Sequence, residues 1–359
     1  MKNQSWKYIS IALLFTQVVL FKILTKNPEW IEYNYINLVF RNLSRFLRIL
    51  TSPFNFSIGL ILVYMVSVAL IWWLFKSLNL IHKRRLNFKQ FLINILAFFS
   101  PVYLFYMLTW GLAYHKKPLD ELMNLNKANI SDSEIIALTE SLIERINASR
   151  KIVNQDSLEN FTLEKVFKQA PLGYHQLRSK FSFLSYQNSS LKKATGSTLL
   201  AYMGTSGIYM FPTGEANINT HNVLYEAPFV CSHEMAHQLG FASEDEANFL
   251  AYLACKNHPN PIFRYSANYG LVFRALNKVW EIDSTLSKRL FNKLDPLVIK
   301  DIEKEKAVWK KFRNPIQKYI IAPFYDLFLK SNGIKEGSRS YDLVVDLLVA
   351  EKRKMAKIK

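Results

Sequence analysis

The sequence predicts an N-terminal α-helical membrane region with three spans, followed by a mostly helical α+β domain. Half of the 359 residues are hydrophobic, and the long apolar runs all lie before about residue 113. The rest of the chain has the mixed composition of a water-soluble fold. We therefore assign the membrane region to residues 1–112 and the second domain to residues 113–359.

Three apolar runs have the length and composition of membrane spans. They cover residues 9–24, 58–75 and 91–112. The first run could be a cleavable signal, but it lacks a small-x-small cleavage signature, and Lys22 and Lys26 flank its end. These features favour an uncleaved anchor. Aromatic residues typical of membrane interfaces lie near the ends of the other two runs, namely Trp72, Trp73 and Trp110.

The charges between the second and third runs predict the orientation of the chain. This link has no acidic residue and five cations: Lys76, Lys83, Arg84, Arg85 and Lys89. Because cytoplasmic links are enriched in lysine and arginine, we expect this link to be cytoplasmic. Three spans then place the second domain outside. The sequence thus predicts a multi-pass membrane protein with an extracytoplasmic domain.

The link before the second run is also basic. Arg41, Arg45 and Arg48 recur at helical spacing opposite a face of phenylalanine and leucine residues. This pattern predicts an amphipathic helix on the membrane surface. A helix packed on the second domain is the alternative.

Two segments of the second domain have clear local signals. Ser131 and Glu134 form a capping box, which opens a helix. Its apolar face, predicted to belong to the core, contains Ile135, Leu138, Leu142 and Ile146. Residues 206–211 are β-branched and aromatic between glycine and proline, so they predict a strand. It is either an edge strand that pairs with an extended substrate or an ordinary internal strand.

The sequence His-Glu-Met-Ala-His at residues 233–237 is the main chemical motif of the chain. Pro228 suits the start of a helix around it, and Gly240 suits the position just past its end. His233 and His237 are then one helical turn apart, so both imidazoles can bind one Zn²⁺ ion. Glu234 lies beside them, where it can accept a proton from the attacking water. The motif therefore predicts metal-assisted hydrolysis.

A catalytic zinc normally has three protein ligands, and the next helix offers the third. Ser243 and Glu246 have capping-box spacing, which predicts a helix start at Ser243. Glu244 then lies in the first turn and Asn248 one turn later, where its amide can hold a metal-binding group in position. We assign Glu244 as the ligand. Glu246 is the alternative, although the capping box gives it a local role.

The segment Glu-Asp-Glu-Ala-Asn at residues 244–248 resembles the Glu-x-x-Ala-Asp/Asn element of gluzincin metallopeptidases. The resemblance implies the same roles: zinc ligands at His233, His237 and Glu244, the catalytic base at Glu234, and a supporting amide at Asn248. One departure is the spacing, because many gluzincins place the third ligand well downstream. The whole chain resembles an uncharacterised bacterial family of membrane-anchored candidate zinc metallopeptidases, also through residues 209–219 and 263–266. We therefore expect a zincin-like domain. The family resemblance also implies a place in the bacterial inner membrane.

Three further features complete the prediction. Tyr265 is a candidate for stabilising the oxyanion that forms when a carbonyl is attacked, although a tyrosine is more often a packing residue. Cys231 and Cys255 are predicted to be two separate buried thiols. The formal net charge of +18 is spread along the chain without a nucleic-acid recognition motif. Attraction to anionic lipid or simple solvation accounts for it, so we expect no nucleic-acid partner.

The predicted function is a zinc-dependent metallopeptidase that hydrolyses envelope proteins or peptides, with the lipid bilayer as its other partner. A zinc hydrolase of a non-peptide amide, such as a cell-wall fragment, would use the same residues. A non-catalytic membrane scaffold with zinc is the third hypothesis. It is disfavoured because structural zinc sites are usually closed by four protein ligands.

Overall fold

The computed structural model describes residues 5–358. Its N-terminal helices are α1 (Ser5–Leu24), α2 (Pro28–Trp30), α3 (Arg41–Thr51), α4 (Ile58–His82) and α5 (Phe88–Thr109), with a π-helical stretch, Ile31–Phe40, between α2 and α3. Three of them, α1, α4 and α5, are long and apolar enough to cross a membrane. All three predicted apolar runs are therefore helical. α1 packs along α5.

The rest of the chain is mostly helical and contains one small sheet. The first part contains α6 (Leu119–Leu122), α7 (Asp132–Ile152), α8 (Gln155–Glu159) and α9 (Leu163–Arg178). The middle part contains β1 (Leu191–Lys193), α10 (Ser197–Tyr202), β2 (Gly207–Met210), β3 (Glu215–Ile218), α11 (Ala227–Gln238) and α12 (Glu244–Lys256). The last part contains α13 (Pro261–Ile282), α14 (Ser284–Phe291), α15 (Pro296–Lys310), α16 (Ala322–Ser331) and α17 (Val344–Ile358). Short 3₁₀ or π-helical stretches cover Gly111–His115, Ser182–Leu184, Gln317–Ile321 and Gly337–Leu343.

The capping box and apolar face predicted for α7 are confirmed. Ser131 Oγ accepts a hydrogen bond from the Glu134 N–H, and the Glu134 carboxylate accepts one from the Ser131 N–H. The four predicted core residues of this helix are buried, and α7 packs along α13. Burying a leucine or isoleucine side chain contributes roughly 1.5–3 kcal/mol, so this face outweighs the cap, which is worth about 1 kcal/mol. α11 and α12 pack against each other and against α13 in the same core.

The sheet has the strand order β1-β3-β2, with β1 parallel and β2 antiparallel to β3. β2 pairs through Gly207 with Ile218 and through Met210 with Glu215. The strand predicted at residues 206–211 is therefore confirmed, and it lies at the edge of the sheet. β2 also contacts α11. The edge strand thus lies beside the helix that contains the His-Glu-x-x-His motif.

The sheet is attached to the start of α4 by a buried carboxylate. Glu215 accepts hydrogen bonds from the backbone N–H groups of Ile58 (3.0 Å) and Gly59 (2.6 Å) and from the Thr213 hydroxyl (2.8 Å). These N–H groups lie in the first turn of α4, where a helix has no internal acceptor for them. A Cβ atom on Gly59 would lie 2.4 Å from Thr213 Oγ1, so only glycine allows this close approach.

α3 packs on the domain, as the alternative predicted, through the face that contains Arg48. Phe46 and Leu50 of its apolar face stay exposed, so the contact of that face with the membrane surface remains a prediction. Arg48 is buried, and its guanidinium donates to the backbone oxygens of Gln238 (2.9 Å), Asn188 (2.9 Å) and Gln187 (3.0 Å). Ser44 also donates to the Gln238 oxygen, at 2.9 Å. Because a buried guanidinium needs acceptors, the carbonyl groups at the end of α11 hold α3 in place. Part of the segment before residue 113 therefore contacts the domain.

Candidate metal site

The helix α11 begins and ends as its sequence predicts. Pro228 lies in the first turn, where its missing N–H breaks no helical hydrogen bond. Gly240 has φ +92°, a conformation that favours glycine, and the Phe241 N–H returns to the Ala236 oxygen at 3.2 Å. This turn brings the Phe241 carbonyl oxygen to 2.6 Å from His237 Nδ1. The chain leaving α11 therefore also orients the second histidine of the motif.

The structure brings His233, His237 and Glu244 together into one cluster. Their candidate ligand atoms all lie within 4.8 Å of one another. The Nε2 atoms of the two histidines are 3.1 Å apart, and Glu244 Oε2 lies 3.1 Å from His233 Nε2 and 3.8 Å from His237 Nε2. All three side chains are largely buried. The exposed fraction is 12% for His233, 8% for His237 and 6% for Glu244. Such a group could hold a metal ion.

The other nitrogen of each histidine faces an acceptor. His237 Nδ1 lies against the Phe241 carbonyl, which can only accept, so Nδ1 carries the proton. His233 Nδ1 lies 3.0 Å from Asn248 Oδ1 in the same way. In the neutral imidazoles, the two Nε2 atoms then present lone pairs towards each other. The structure therefore places the Asn248 side chain against a candidate ligand, His233, as the sequence predicts.

The arrangement fits a cation. Two lone pairs 3.1 Å apart repel unless a proton or a metal ion lies between them. Glu244 Oε2 is buried and has no hydrogen bond from the described residues unless His233 Nε2, 3.1 Å away, carries a proton. A cation, either that proton or a metal ion, removes the cost of burying this carboxylate oxygen. The donor set therefore suits a metal ion held by two nitrogens and one oxygen.

Glu244, and not Glu246, faces the histidines. Ser243 precedes α12 but makes no side-chain cap, and its hydroxyl donates to Asp245 instead. Glu246 accepts a hydrogen bond from the Leu119 N–H at 2.6 Å and pairs with Lys116 at 3.3 Å. The prediction of a capping box at Ser243 and Glu246 is therefore wrong. The buried Glu246 carboxylate instead binds Lys116 and the first residue of α6, Leu119.

Glu234 points towards the edge strand. Its side chain is buried, and a Cβ atom on Gly207 of β2 would lie 2.5 Å from Glu234 Oε1. Gly207 thus leaves the space that this carboxyl group occupies. Burial raises the pKa of Glu234 to about 8; the charge on His233 lowers it, and that on Glu244 raises it. A cation bound to the cluster would favour the ionised form of this carboxyl group.

The pKa values of the cluster follow from burial and from mutual charge. Burial raises the pKa of Glu244, but the two histidines and the Tyr325 hydroxyl outweigh it and hold the value at about 2. Burial, together with the charge on His233, lowers the pKa of His237 to about 4. Burial lowers the pKa of His233, yet Glu244 and Glu234 outweigh it, so the value is raised. Without a metal ion, these shifts favour a proton on His233 rather than on His237 or Glu244.

Aromatic rings surround the cluster on the side of the apolar helices. The ring of Trp110, the residue after α5, lies 5.6 Å from the His237 ring in an edge-to-face arrangement. Tyr209 of β2 lies 5.0 Å from Trp110 and 6.4 Å from His237. Trp110 was predicted to be an interfacial residue at the end of a span, but it is buried against the cluster. The end of α5 is therefore part of the wall of the site.

Tyr265 does not contact the cluster. Its side chain is fully buried, and its hydroxyl donates to Asp301 at 2.7 Å. Arg150 binds the same carboxylate at 2.6 Å. Because this hydroxyl is committed to a core ion pair, the prediction that Tyr265 stabilises an oxyanion is wrong.

Two other tyrosines, which the sequence does not indicate, lie beside the cluster. Tyr325 of α16 donates to Glu244 Oε1 at 2.6 Å, and Tyr341 lies 3.3 Å from the Tyr325 hydroxyl. Tyr325 is 81 residues from Glu244, at no characteristic spacing. Trp110 is also distant from the motif in the chain, whereas Gly207 lies 27 residues before Glu234, in the segment predicted to form a strand. No local signal places Trp110 or Tyr325 beside the cluster, because only the tertiary fold brings them to α11 and α12.

Cys231 and Cys255 are free and buried, as predicted. Cys255 Sγ lies 3.3 Å from the Ser232 hydroxyl and 3.6 Å from the Pro228 oxygen. Burial raises the pKa of both thiols, that of Cys255 to about 12. Both cysteines therefore act as small core residues between α11 and α12.

Comparison with known proteins gives one match. The profile of a family described as "Protein of unknown function (DUF3810)" matches residues 35–349. No curated protein and no solved structure matches the chain. The matched range contains α4, α5 and every residue of the candidate metal site. Because it spans most of the sequence, the chain belongs to this family of unknown function, DUF3810.

Proposed function

We propose that the protein is a membrane-anchored zinc metallopeptidase with a zincin-like, extracytoplasmic domain. One observation carries the proposal. The Nε2 atoms of His233 and His237 and the buried Oε2 of Glu244 converge next to the buried carboxyl group of Glu234. A metal centre and a candidate base in one place are the two parts that metal-assisted hydrolysis needs.

The donor set favours zinc among the common metal ions. Two imidazoles and one carboxylate are a known ligand set of catalytic zinc, which keeps a fourth position open. Magnesium and calcium prefer oxygen ligands, and neither is suited to two nitrogens. Asn248 and the Phe241 carbonyl hold the imidazoles with Nε2 directed at the metal position. When bound, zinc would supply Lewis acidity for activating water and polarising a carbonyl group.

Glu234 would then move the protons of the reaction. Its carboxylate accepts a proton from the attacking water and returns it to the leaving amine. The apolar surroundings of Trp110 and Tyr209 limit access of bulk water to the histidines, which strengthens the electrostatic interactions inside the site. The Tyr325 hydroxyl holds Glu244 by its other oxygen and so fixes the carboxylate that binds the metal.

The substrate would bind along β2. This strand is at the edge of the sheet and lies next to Glu234 through Gly207. An edge strand offers unpaired backbone groups to an extended peptide, so β2 can align a scissile bond with the site. An extracytoplasmic domain would meet envelope proteins or peptides, which we propose as the substrates.

Exchange of Glu234 for glutamine tests the proposal. Glu234→Gln keeps the size of the side chain but removes the proton acceptor. Zinc should remain bound, while hydrolysis of a mixed peptide library by the purified protein should fall by roughly 10²–10⁴-fold. Asp245→Asn, which changes a neighbouring carboxylate outside the cluster, is the matched control and should retain activity. Equal cleavage by wild type and Glu234→Gln would rule out peptidase chemistry at this site and leave the scaffold hypothesis.

A further inference from the structure

The segment before and within α16 has an unusually apolar outer face. Helical structure runs from Pro315 through the π-helical stretch into α16. Five large apolar side chains on this segment, which we call the outer stripe, are 60–72% exposed: Ile316, Tyr319, Ile320, Phe324 and Leu327. They recur every three or four residues and so share one side of the helical segment. Contiguous exposed apolar surface of this kind marks an interaction site.

The opposite side of the segment packs on the domain end of α5. Phe328 lies 6.1 Å from the ring of Tyr106 and 6.2 Å from that of Tyr114. The Tyr106 hydroxyl donates to Asn332 at 2.6 Å, and Leu329 is fully buried. α5 is one of the three helices able to cross a membrane. The outer stripe is therefore held next to the point where an apolar helix leaves the domain.

The approach to the outer stripe is positively charged. Residues 310–318 contain four cations and no acidic residue, namely Lys310, Lys311, Arg313 and Lys318. All four are exposed. Cations flanking an apolar helical face are typical of a helix in the interface of an anionic bilayer.

Neighbouring residues enlarge the same apolar surface. Asn314 donates to the Tyr202 oxygen at 2.8 Å, which attaches the segment to α10. Leu199 and Tyr202 of α10 are 51% and 46% exposed. The apolar surface thus continues from α16 across to the sheet side of the domain.

We propose that the outer stripe is inserted in the bilayer interface as a membrane contact that does not span. The packing of α16 on the end of α5 fixes the depth of the outer stripe. The four cations of residues 310–318 then lie where they can contact anionic headgroups. Interfacial helices bury their apolar face about 5–10 Å into the headgroup and acyl boundary. The other face of the same helix carries Tyr325, which donates to Glu244. The lipid contact and the metal cluster are therefore joined by one helix, and the site lies at the membrane surface.

Lipid accessibility measured at single positions tests the proposal without any assay of activity. Phe324→Cys and Leu327→Cys place a reactive thiol on the outer stripe. Lys151→Cys and Lys293→Cys are the controls, at exposed lysines of the domain outside the stripe and its basic approach. The native cysteines are fully buried, so a thiol-reactive fluorophore labels the introduced positions. The full chain is reconstituted in vesicles of phosphatidylethanolamine and phosphatidylglycerol. Fluorescence is then quenched either by brominated acyl chains or by aqueous iodide.

The proposal predicts opposite patterns at the two pairs of positions. Labels at 324 and 327 should lose fluorescence to brominated lipid and be protected from iodide, whereas labels at 151 and 293 should show the reverse. Quenching of 324 and 327 by iodide alone would overturn the proposal. Protection of these two labels from both quenchers would indicate a second copy of the chain on the stripe, and would overturn it as well. Because no outcome depends on hydrolysis, failure here leaves the peptidase proposal intact.

Discussion

Asn248 and the Phe241 carbonyl decide which nitrogen of each histidine faces the cluster. Without these acceptors, each imidazole could present either nitrogen and could rotate away from the metal position. Phe241 acts through its backbone, so its contribution depends on the positive φ of Gly240. Asn248 acts through its side chain and can be tested directly.

We predict that Asn248→Ala lowers metal affinity without unfolding the protein. Loss of the partner of a metal-binding histidine typically weakens binding by roughly 10–100-fold. Asn248→Asp keeps an acceptor at the same position and should retain the affinity. Competition with a chelator for zinc measures the difference. Identical affinities for wild type and Asn248→Ala would show that His233 does not need this hydrogen bond.

The sequence predicts much of the cluster on α11 and α12, because helical spacing fixes which side chains share a face. This rule pairs His233 with His237 and Glu244 with Asn248. The choice of Glu244 over Glu246 rested on a capping box that does not form, and only the tertiary fold explains it. Tyr325 could not be predicted, since its contact depends on how α16 packs. Tyr265 was assigned from its residue type alone, and the core ion pair of Asp301 takes its hydroxyl.

At the scale of elements, buried charged side chains connect segments that are distant in the chain. Glu215 binds the first turn of α4, Arg48 attaches α3 to the end of α11, and Glu246 binds the start of α6. The arginine spacing in α3 predicted an amphipathic helix but not the acceptors of Arg48, and the spacing of Glu246 predicted a cap that does not form. A spacing rule describes local partners, while a buried charge takes whatever partner the tertiary fold provides.

We predict that Glu215→Gln destabilises the junction between the sheet and α4. The amide keeps one acceptor oxygen, but its NH₂ group would face the backbone N–H groups that the carboxylate now satisfies. Leaving a buried donor without an acceptor costs about 1–3 kcal/mol. Thermal unfolding in detergent should therefore start at a lower temperature.

Glu164→Gln is the control for this experiment. Glu164 forms an exposed ion pair with Lys193, and such pairs contribute little to stability. If both variants unfolded at the temperature of the wild type, the Glu215 carboxylate would not be an anchor of α4.

At the scale of the whole molecule, each apolar helix contacts the domain or the buried cluster beside it through one end. Phe21 near the end of α1 and Trp110 after α5 belong to one buried cluster, and the first turn of α4 binds Glu215. The chain therefore runs towards the domain in α1, away from it in α4 and towards it again in α5. This arrangement is what a three-span anchor requires, and it leaves the basic link between α4 and α5 at the far ends of both helices.

The charge of that link predicts the side on which the domain lies. Reporter fusions after Leu80 and after Lys117 should report opposite sides of the membrane, with the second fusion outside. A pair of reporters, one active only in the cytoplasm and one only outside it, gives a positive signal in either case. Two cytoplasmic fusions would contradict the orientation and would make a cytoplasmic substrate the hypothesis to test.

Zinc content of purified variants tests the central claim, that His233, His237 and Glu244 form a metal centre, most directly. Wild-type protein should contain stoichiometric zinc, and Glu244→Ala should lose most of it, because only two ligands remain. Glu246→Ala removes a neighbouring buried carboxylate that contacts Leu119 and Lys116, and should retain the metal even if its stability falls. Wild-type protein that binds no zinc, or zinc lost in Glu246→Ala but kept in Glu244→Ala, would contradict the account.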